Sequence, residues 1–191
     1  MDLSKEFWSS RYTDDNTGWD LGTVSEPLKM YFDQLTNKEL KILIPGCGNG
    51  HEAEYLFKKG FINVHLLDFA NEPLANFKKR VSNFPSEQLH NEDFFKHVER
   101  YDLIIEQTLF CAIDPELRMA YAQKAKELLR NDGRLIGLLF EMDSKDHPPF
   151  GGDRVEYLNY FNSFFDEVKI DSCYNSIKPR EGRELFLIAK Q

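Results

Sequence analysis

Cysteine is scarce in this chain: Cys47, Cys111 and Cys173 are the only three. An odd number without paired spacing gives no disulfide framework, so the fold must rest on a hydrophobic core. The five histidines, His51, His65, His90, His97 and His147, form no recognisable ligand spacing with those cysteines, and no metal is expected from the linear pattern. No apolar run approaches the length needed to cross a bilayer. The opening residues have neither the basic region nor the apolar stretch of a secretory signal, which makes a cytoplasmic enzyme the default expectation. Positive charge is also short, because 24 Lys and Arg against 32 Asp and Glu leave a formal net charge of -8. A long nucleic-acid footprint needs a basic surface, so DNA and RNA are disfavoured as partners. The basic groups Lys78-Lys79-Arg80 and Lys124, Lys126 and Arg130 lie among apolar residues and read as solvated helix faces.

What is present fits an ordinary globular chain. With 191 residues, 41% hydrophobic and 29% charged, there is enough material for one α/β domain and too little for two independent ones. Cofactor binding and catalysis are therefore expected in one unit, 1–191, with residues 1–24 as an N-terminal extension packed on it. Sixteen Phe and eight Tyr exceed what a core of this size needs, which assigns some of them to a ligand cavity. No repeat, low-complexity tract or interdomain linker interrupts the chain, and a monomer is favoured.

Periodicity supplies the element order. Leu28, Tyr31, Phe32 and Leu35 recur at helical spacing and predict a helix over 26–35. The apolar run 41–44 predicts a strand, 52–59 a helix and 64–67 a second strand, together a β-loop-α-β unit that leads to a parallel sheet. A strand follows at 101–106. A helix is predicted over 116–130, started by Asp114 and Pro115, buried along Leu117, Tyr121, Ala125 and Leu128, and stopped by Asn131-Asp132-Gly133. Next come a strand at 135–140, a Pro- and Gly-rich loop at 143–153 suited to a lid, and an aromatic helix over 155–165. Strands at 168–170 and 185–189, with a bend at Arg180-Glu181-Gly182, close the chain.

The chemistry concentrates at the strand ends. Gly46, Gly48 and Gly50 occupy the turn after the first strand, where glycine lets backbone amides approach a ligand. The spacing is GxGxG; a dinucleotide fingerprint would require glycine where His51 stands, which weakens a nicotinamide reading. Asp68 ends the second strand, 22 residues after Gly46, where a carboxylate can accept both ribose hydroxyls or, alternatively, cap the following helix. Asp93 with Phe94 could accept from an adenine amino group and pack on its ring, or could simply form a turn.

A further set of motifs carries a family resemblance. Phe7-Trp8, Thr17-Gly18-Trp19-Asp20, Ile44-Pro45-Gly46-Cys47-Gly48-Asn49-Gly50, the run from Glu106 through Leu109-Phe110-Cys111 to Asp114-Pro115, the segment from Gly133 to Leu139, and Gly182-Arg183-Glu184-Leu185 resemble the thiopurine S-methyltransferase superfamily, which includes thiol and halide methyltransferases. The run from Glu106 to Pro115 is far more specific than the glycine turn. The resemblance covers nearly the whole chain. It implies the Rossmann-like class I methyltransferase fold: a seven-stranded, mainly parallel sheet, its last strand antiparallel, with helices on both faces. It further implies S-adenosylmethionine as cofactor, leaving S-adenosylhomocysteine as product. Trp8, Tyr12 and Trp19 would cover the cofactor, Gly46 lie near its amino-acid portion with Gly48 also in the cofactor site, Asp68 take the ribose, Asp93 and Phe94 the adenine, and Gln107 lie below its methionine part. The two tryptophans also suit a purely structural anchor for the N-terminal segment.

Phe110, Cys111 and Phe150 are the substrate-side candidates, each by itself better suited to core or lid packing than to direct substrate contact. No catalytic base is assigned: Asp20 and Glu106 could steer or accept a proton, and both also suit structural hydrogen bonds. Direct methyl transfer asks a protein for alignment and water exclusion, and a thiolate is a good nucleophile near neutral pH. The expected reaction is methyl transfer to a small thiol or related soft nucleophile. The competing readings are an NAD-dependent oxidoreductase and a noncatalytic cofactor-binding protein.

Overall fold

The apolar runs and the helical stripes between them assemble one mixed sheet. A computed structural model describes residues 2–191. Its strands are β1 (Ile42–Pro45), β2 (Val64–Leu67), β3 (Leu89–His90), β4 (Tyr101–Gln107), β5 (Leu129–Phe140), β6 (Glu167–Ser172) and β7 (Glu184–Lys190), in the spatial order β3-β2-β1-β4-β5-β7-β6. The pairs from β3 across to β5 are parallel, whereas β7 runs antiparallel to both β5 and β6, as the seven-stranded expectation required. The helices are α1 (Lys5–Thr13), α2 (Glu26–Phe32), α3 (His51–Lys58), α4 (Asn71–Arg80), α5 (Arg118–Glu127) and α6 (Arg154–Asn162).

Continuous apolar strands mean a sheet covered on both faces, and the pleat sends alternate residues to opposite sides. On β1, Ile42 and Ile44 join one core cluster and Leu43 the other; on β4, Leu103 and Ile105 separate from Ile104 in the same way. One cluster packs under α5 and α6 through Tyr121, Ala125, Tyr157 and Phe161; the other packs under α3 and α4 through Ala53, Leu56, Leu74 and Phe77. The connections from β1 lead to β2 on one side while β4 lies on the other, so the order reverses between β1 and β4. Ligands in open α/β sheets sit beyond the strand C-termini at such a reversal.

Several local expectations need correction. Residues 5–13 form a helix that the polar spacing did not signal: none of its residues is buried, and Ser4 Oγ caps it by accepting from Phe7 N at 3.3 Å. The helix expected over 116–130 is shorter. Asp114 does accept from Glu116 N at 2.9 Å, but Pro115–Leu117 is a tight 3-10 turn, Leu117 is 43% exposed, and α5 ends at Glu127. Asn131-Asp132-Gly133 lies inside β5, not at the helix end: Leu129 pairs with Tyr101 and Arg134 with Leu103, and the surplus residues form a bulge in which Asp132 takes φ 62°. The turn chemistry was real, but strand pairing on either side captured it.

Candidate active site

A cavity of about 960 Å³ opens beyond the β1 and β4 ends. Its walls come from the N-terminal segment (Trp8, Arg11, Tyr12, Trp19), the turns after β1 and β2 (Gly46, Asp68, Phe69), the segment after β3 (Asp93, Phe94, Phe95), the turn after β4 (Thr108, Leu109, Cys111, Ile113), and Phe140, Met142, Pro148, Pro149, Arg180 and Arg183. A smaller adjoining cleft contains Gly48 and Gln107 together with Trp19, Gly46, Asn49 and Thr108. Seven of the nine expected cofactor residues thus line the cavity, and the other two, Gly48 and Gln107, line the adjoining cleft.

The turn after β1 needs glycine at its first position. Gly46 has φ 56°, and a Cβ there would lie 2.9 Å from the Leu109 side chain. Cys47 N donates to Leu67 O at 3.1 Å, which ties this turn to the end of β2. There Asp68, only 6% exposed, accepts from Gly48 N at 3.1 Å and from Ala70 N at 2.9 Å. Burial pushes its carboxyl up to about 6, against the pull of the Ala70 and Gly48 amides. A carboxylate has about four lone-pair sites, so these two bonds leave acceptor capacity at the cavity wall. Asp93 accepts from Phe95 N at 2.9 Å and caps the short turn Phe94–Lys96, while Phe94 stacks on Tyr121 with 5.0 Å between ring centroids.

The N-terminal segment is held over the cavity by aromatic and polar contacts. Trp19 meets Trp8 edge-on at 5.4 Å and Tyr12 at 5.8 Å. Asp20 accepts from Gly22 N at 2.7 Å and bonds to His51 Nε2 at 2.7 Å and to Asn49 Nδ2. Burial pushes the Asp20 carboxyl up, but the His51, Asn49 and Gly22 bonds outweigh it and hold it well below the usual range. Asp20 is therefore a tether between this segment and the glycine turn rather than a base. From the other side, Arg180 Nη2 donates to Trp19 O at 2.7 Å and Nη1 contacts Glu184 at 3.3 Å.

Gln107 is the last residue of β4, and its Oε1 is buried with no hydrogen-bond partner among the described residues. A buried acceptor without a donor is costly, and a ligand N–H or ammonium at this cleft would satisfy it. The same strand carries Glu106, fully buried, which accepts from Tyr121 Oη at 2.5 Å and from Phe110 N at 3.0 Å. Burial pushes Glu106 up to about 7 against those bonds. It does not line the cavity; it secures the turn through Thr108, which holds φ 68°.

Of the substrate-side candidates, only Cys111 reaches the cavity wall. Its thiol is pushed up to about 12, by burial first and by Glu106 second, so it stays protonated and inert as a nucleophile. Phe110 instead packs edge-on against Tyr121 and Tyr157, with the Arg118 guanidinium 4.9 Å from its ring centroid. Phe150 is buried as well: its N donates to Cys111 O at 2.7 Å and its O accepts from Arg118 Nη2 at 2.9 Å. Phe150 thus ties the 143–153 loop to the turn after β4, and neither ring lines the cavity. Sequence reasoning missed Arg11, Arg180 and Arg183 as wall residues, whereas Pro148 and Pro149 line the wall from the loop expected to serve as a lid. The Gly182-Arg183-Glu184-Leu185 motif was the available signal for the late arginines.

The residues fit the cofactor that the resemblance implied. The cavity holds about 960 Å³, Asp68 retains acceptor capacity where hydroxyls could donate, and Gln107 offers an unpaired acceptor near Gly46. The family model for thiopurine S-methyltransferase matches residues 3–184. Thiocyanate methyltransferase 1 of Brassica oleracea is 31% identical over 188 residues, covering 93% of this chain and 81% of that protein. Probable thiol methyltransferase 2 of Arabidopsis thaliana is 28% identical over 184 residues, again covering 93% and 81%. The fold is also that of magnesium protoporphyrin IX methyltransferase from Synechocystis, solved with bound SAM, at TM-score 0.74 and 14% identity, covering 100% of this chain and 98% of that one. A match across nearly the whole chain leaves the nicotinamide reading without support, and the chain belongs to the thiopurine S-methyltransferase family of S-adenosylmethionine-dependent small-molecule methyltransferases.

Proposed function

We propose that this enzyme methylates a small soft nucleophile, with a thiol as the leading acceptor, and that one wall of the cavity holds the cofactor while the other holds the acceptor. The observation that carries this reading is the make-up of the cavity wall, which joins Gly46, Asp68 and Asp93 to Cys111, Ile113, Phe140, Met142 and the two prolines, with Gly48 and Gln107 in the adjoining cleft. In this reading Asp68 accepts the ribose hydroxyls, Asp93 and Phe94 hold the adenine, and Gly46, Gly48 and Gln107 face the amino-acid portion. Trp8, Tyr12 and Trp19 in the 1–24 extension form the cover.

When bound, S-adenosylmethionine supplies a methyl group already activated on a positive sulfur. The chain's own residues then have two tasks, alignment and exclusion of water. Leu109, Phe140, Met142 and Pro148-Pro149 give the acceptor end an apolar lining, which favours a weakly hydrated sulfur nucleophile over water. No side chain needs to remove a proton from an acceptor that arrives as a thiolate. Asp20 and Glu106 both have their oxygens committed to neighbouring donors, and Cys111 is held as a thiol. Arg183, also on the cavity wall, suits an anionic acceptor, while Arg180 is engaged by Trp19 O and Glu184. The chain is taken to act as a monomeric single domain in the cytoplasm; no helix among the described residues is long and apolar enough to cross a membrane.

A panel of small thiols, thiocyanate, halides and oxygen nucleophiles, assayed for transfer of labelled methyl, tests the proposal. Turnover of the soft nucleophiles above the oxygen series supports it. Preference for oxygen or nitrogen acceptors would move the acceptor class, and cofactor binding with no transfer to any acceptor would favour a noncatalytic protein.

A further inference from the structure

The three histidines nearest the β3 edge are scattered in sequence and meet in the fold. His90 ends β3, His65 lies on the neighbouring β2 two residues before Leu67, the register partner of His90, and His97 follows seven residues after His90. Donor atoms of His90, Glu92 and His97 all lie within 4.8 Å of one another. Each histidine also has a partner on its far side. His90 Nε2 is 2.9 Å from His65 Nδ1, and His97 Nε2 is 2.7 Å from Tyr101 Oη, so Nδ1 is the nitrogen each has left for a ligand. His97 Nδ1 already meets Glu92 Oε1 at 2.6 Å. A second partner that fixes ring orientation and tautomer is the usual support for a metal-binding histidine.

We propose that His90, Glu92 and His97 form a binding site for a borderline divalent cation of the Zn2+ type, placed outside the cavity described above. Two imidazoles and one carboxylate match that ion's preferences, and a tetrahedral site with bonds of about 2.0–2.2 Å separates its ligand atoms by about 3.3 Å. From separations of at most 4.8 Å the donors therefore need shifts of up to about 1.5 Å, the 2.6 Å His97–Glu92 pair opening and any wider pair closing. Glu92 supplies the freedom, because its side chain is 42% exposed while that of His97 is 2% exposed. The exposed side leaves the fourth position to water.

The site has a mechanical consequence. Asn91 Nδ2 donates to Asp68 O and Phe69 O, each at 3.0 Å, and Asp68 N donates to His90 O at 3.1 Å. The ligands thus bracket Asp93 and Phe94, and a bound ion pins the segment that forms one cavity wall to the turn carrying Asp68. This inference stands independently of the acceptor assignment.

The test is calorimetric titration of Zn2+ into tag-free protein stripped with chelator, with the visible spectrum of the Co2+ form as a second readout. The expected result is one saturable equivalent with a tetrahedral Co2+ spectrum, weakened more than about tenfold in Glu92→Gln and in His90→Gln, and unchanged in Cys173→Ser. Glu92→Gln alters a part-exposed side chain, so folding is retained and checked by circular dichroism. Absence of one-equivalent binding overturns the site, as does binding that survives both ligand variants. Loss of binding in Cys173→Ser would assign the ion to the thiol instead.

Discussion

The turn after β2 and the end of β4 each bury a carboxylate, and the two carboxylates have opposite fates. Asp68 and Glu106 are both almost without solvent, and burial raises both, to about 6 and about 7. Asp68 receives two backbone amides and still faces a cavity. Glu106 receives a tyrosine hydroxyl and a backbone amide, and Gly137 packs so closely that a Cβ there would lie 2.4 Å from the Glu106 Cβ. Burial and a raised pKa therefore do not distinguish a binding carboxylate from a structural one. What distinguishes them is whether acceptor capacity remains at a surface a ligand can reach.

The largest expected effect of breaking this contrast is on Asp68. Asp68→Ala should cost cofactor affinity about 4 kcal/mol, roughly a thousandfold, because two charge-assisted hydrogen bonds are lost; calorimetric titration with S-adenosylhomocysteine measures it. Glu106→Ala should act on the other axis. It strands the Tyr121 hydroxyl and the Phe110 amide, and should reduce unfolding free energy by about 3 kcal/mol in a denaturant titration, while the folded fraction still binds cofactor.

A smaller loss is expected at the cover. Trp19→Ala removes the ring against which Trp8 and Tyr12 pack, and should weaken cofactor affinity by about tenfold with little change in stability, since the segment it anchors is peripheral. An unchanged affinity would reduce the tryptophans to anchors.

The smallest effect is on pH dependence. Asp68 has its folded pKa raised above the unfolded value, so its stabilising contribution is fully present below about 4 and is lost as pH rises through about 6. Between pH 5 and pH 8 the cofactor-free protein should lose about 1 kcal/mol from this group, and Asp68→Asn should flatten that part of the slope. Thermal melts of both proteins across this range give the comparison.

The Asp68 region was legible in the sequence and the Glu106 region much less so. A glycine turn, a short apolar strand and a terminal aspartate are contiguous signals, and β1, β2 and the turn between β1 and α3 fell where the pattern placed them. Around β4 the decisive contacts are long-range. Phe110 and Phe150 suit core or lid packing better than substrate contact in the sequence, and both are buried, but nothing in the linear pattern shows that Arg118 of α5 meets the Phe110 ring and the Phe150 carbonyl. Arg180 reads as part of a bend until the fold brings it to the Trp19 carbonyl, 161 positions away in sequence. The bulge at Asn131-Asp132-Gly133 was hidden for the same reason, since a turn signal does not reveal that both flanking segments pair with β4. Helix α1 lacks an apolar stripe because it packs through a few large rings at the cavity mouth.

The most direct measurement is a side-by-side titration of S-adenosylhomocysteine into the native protein, Asp68→Asn and Glu106→Gln, with folding verified for each. The account predicts tight one-site binding by the native protein, near-complete loss in Asp68→Asn, and retention within a few-fold in Glu106→Gln. Equal binding by the native protein and Asp68→Asn, or a greater loss in Glu106→Gln, would contradict the assignment of the Asp68 wall as the cofactor site.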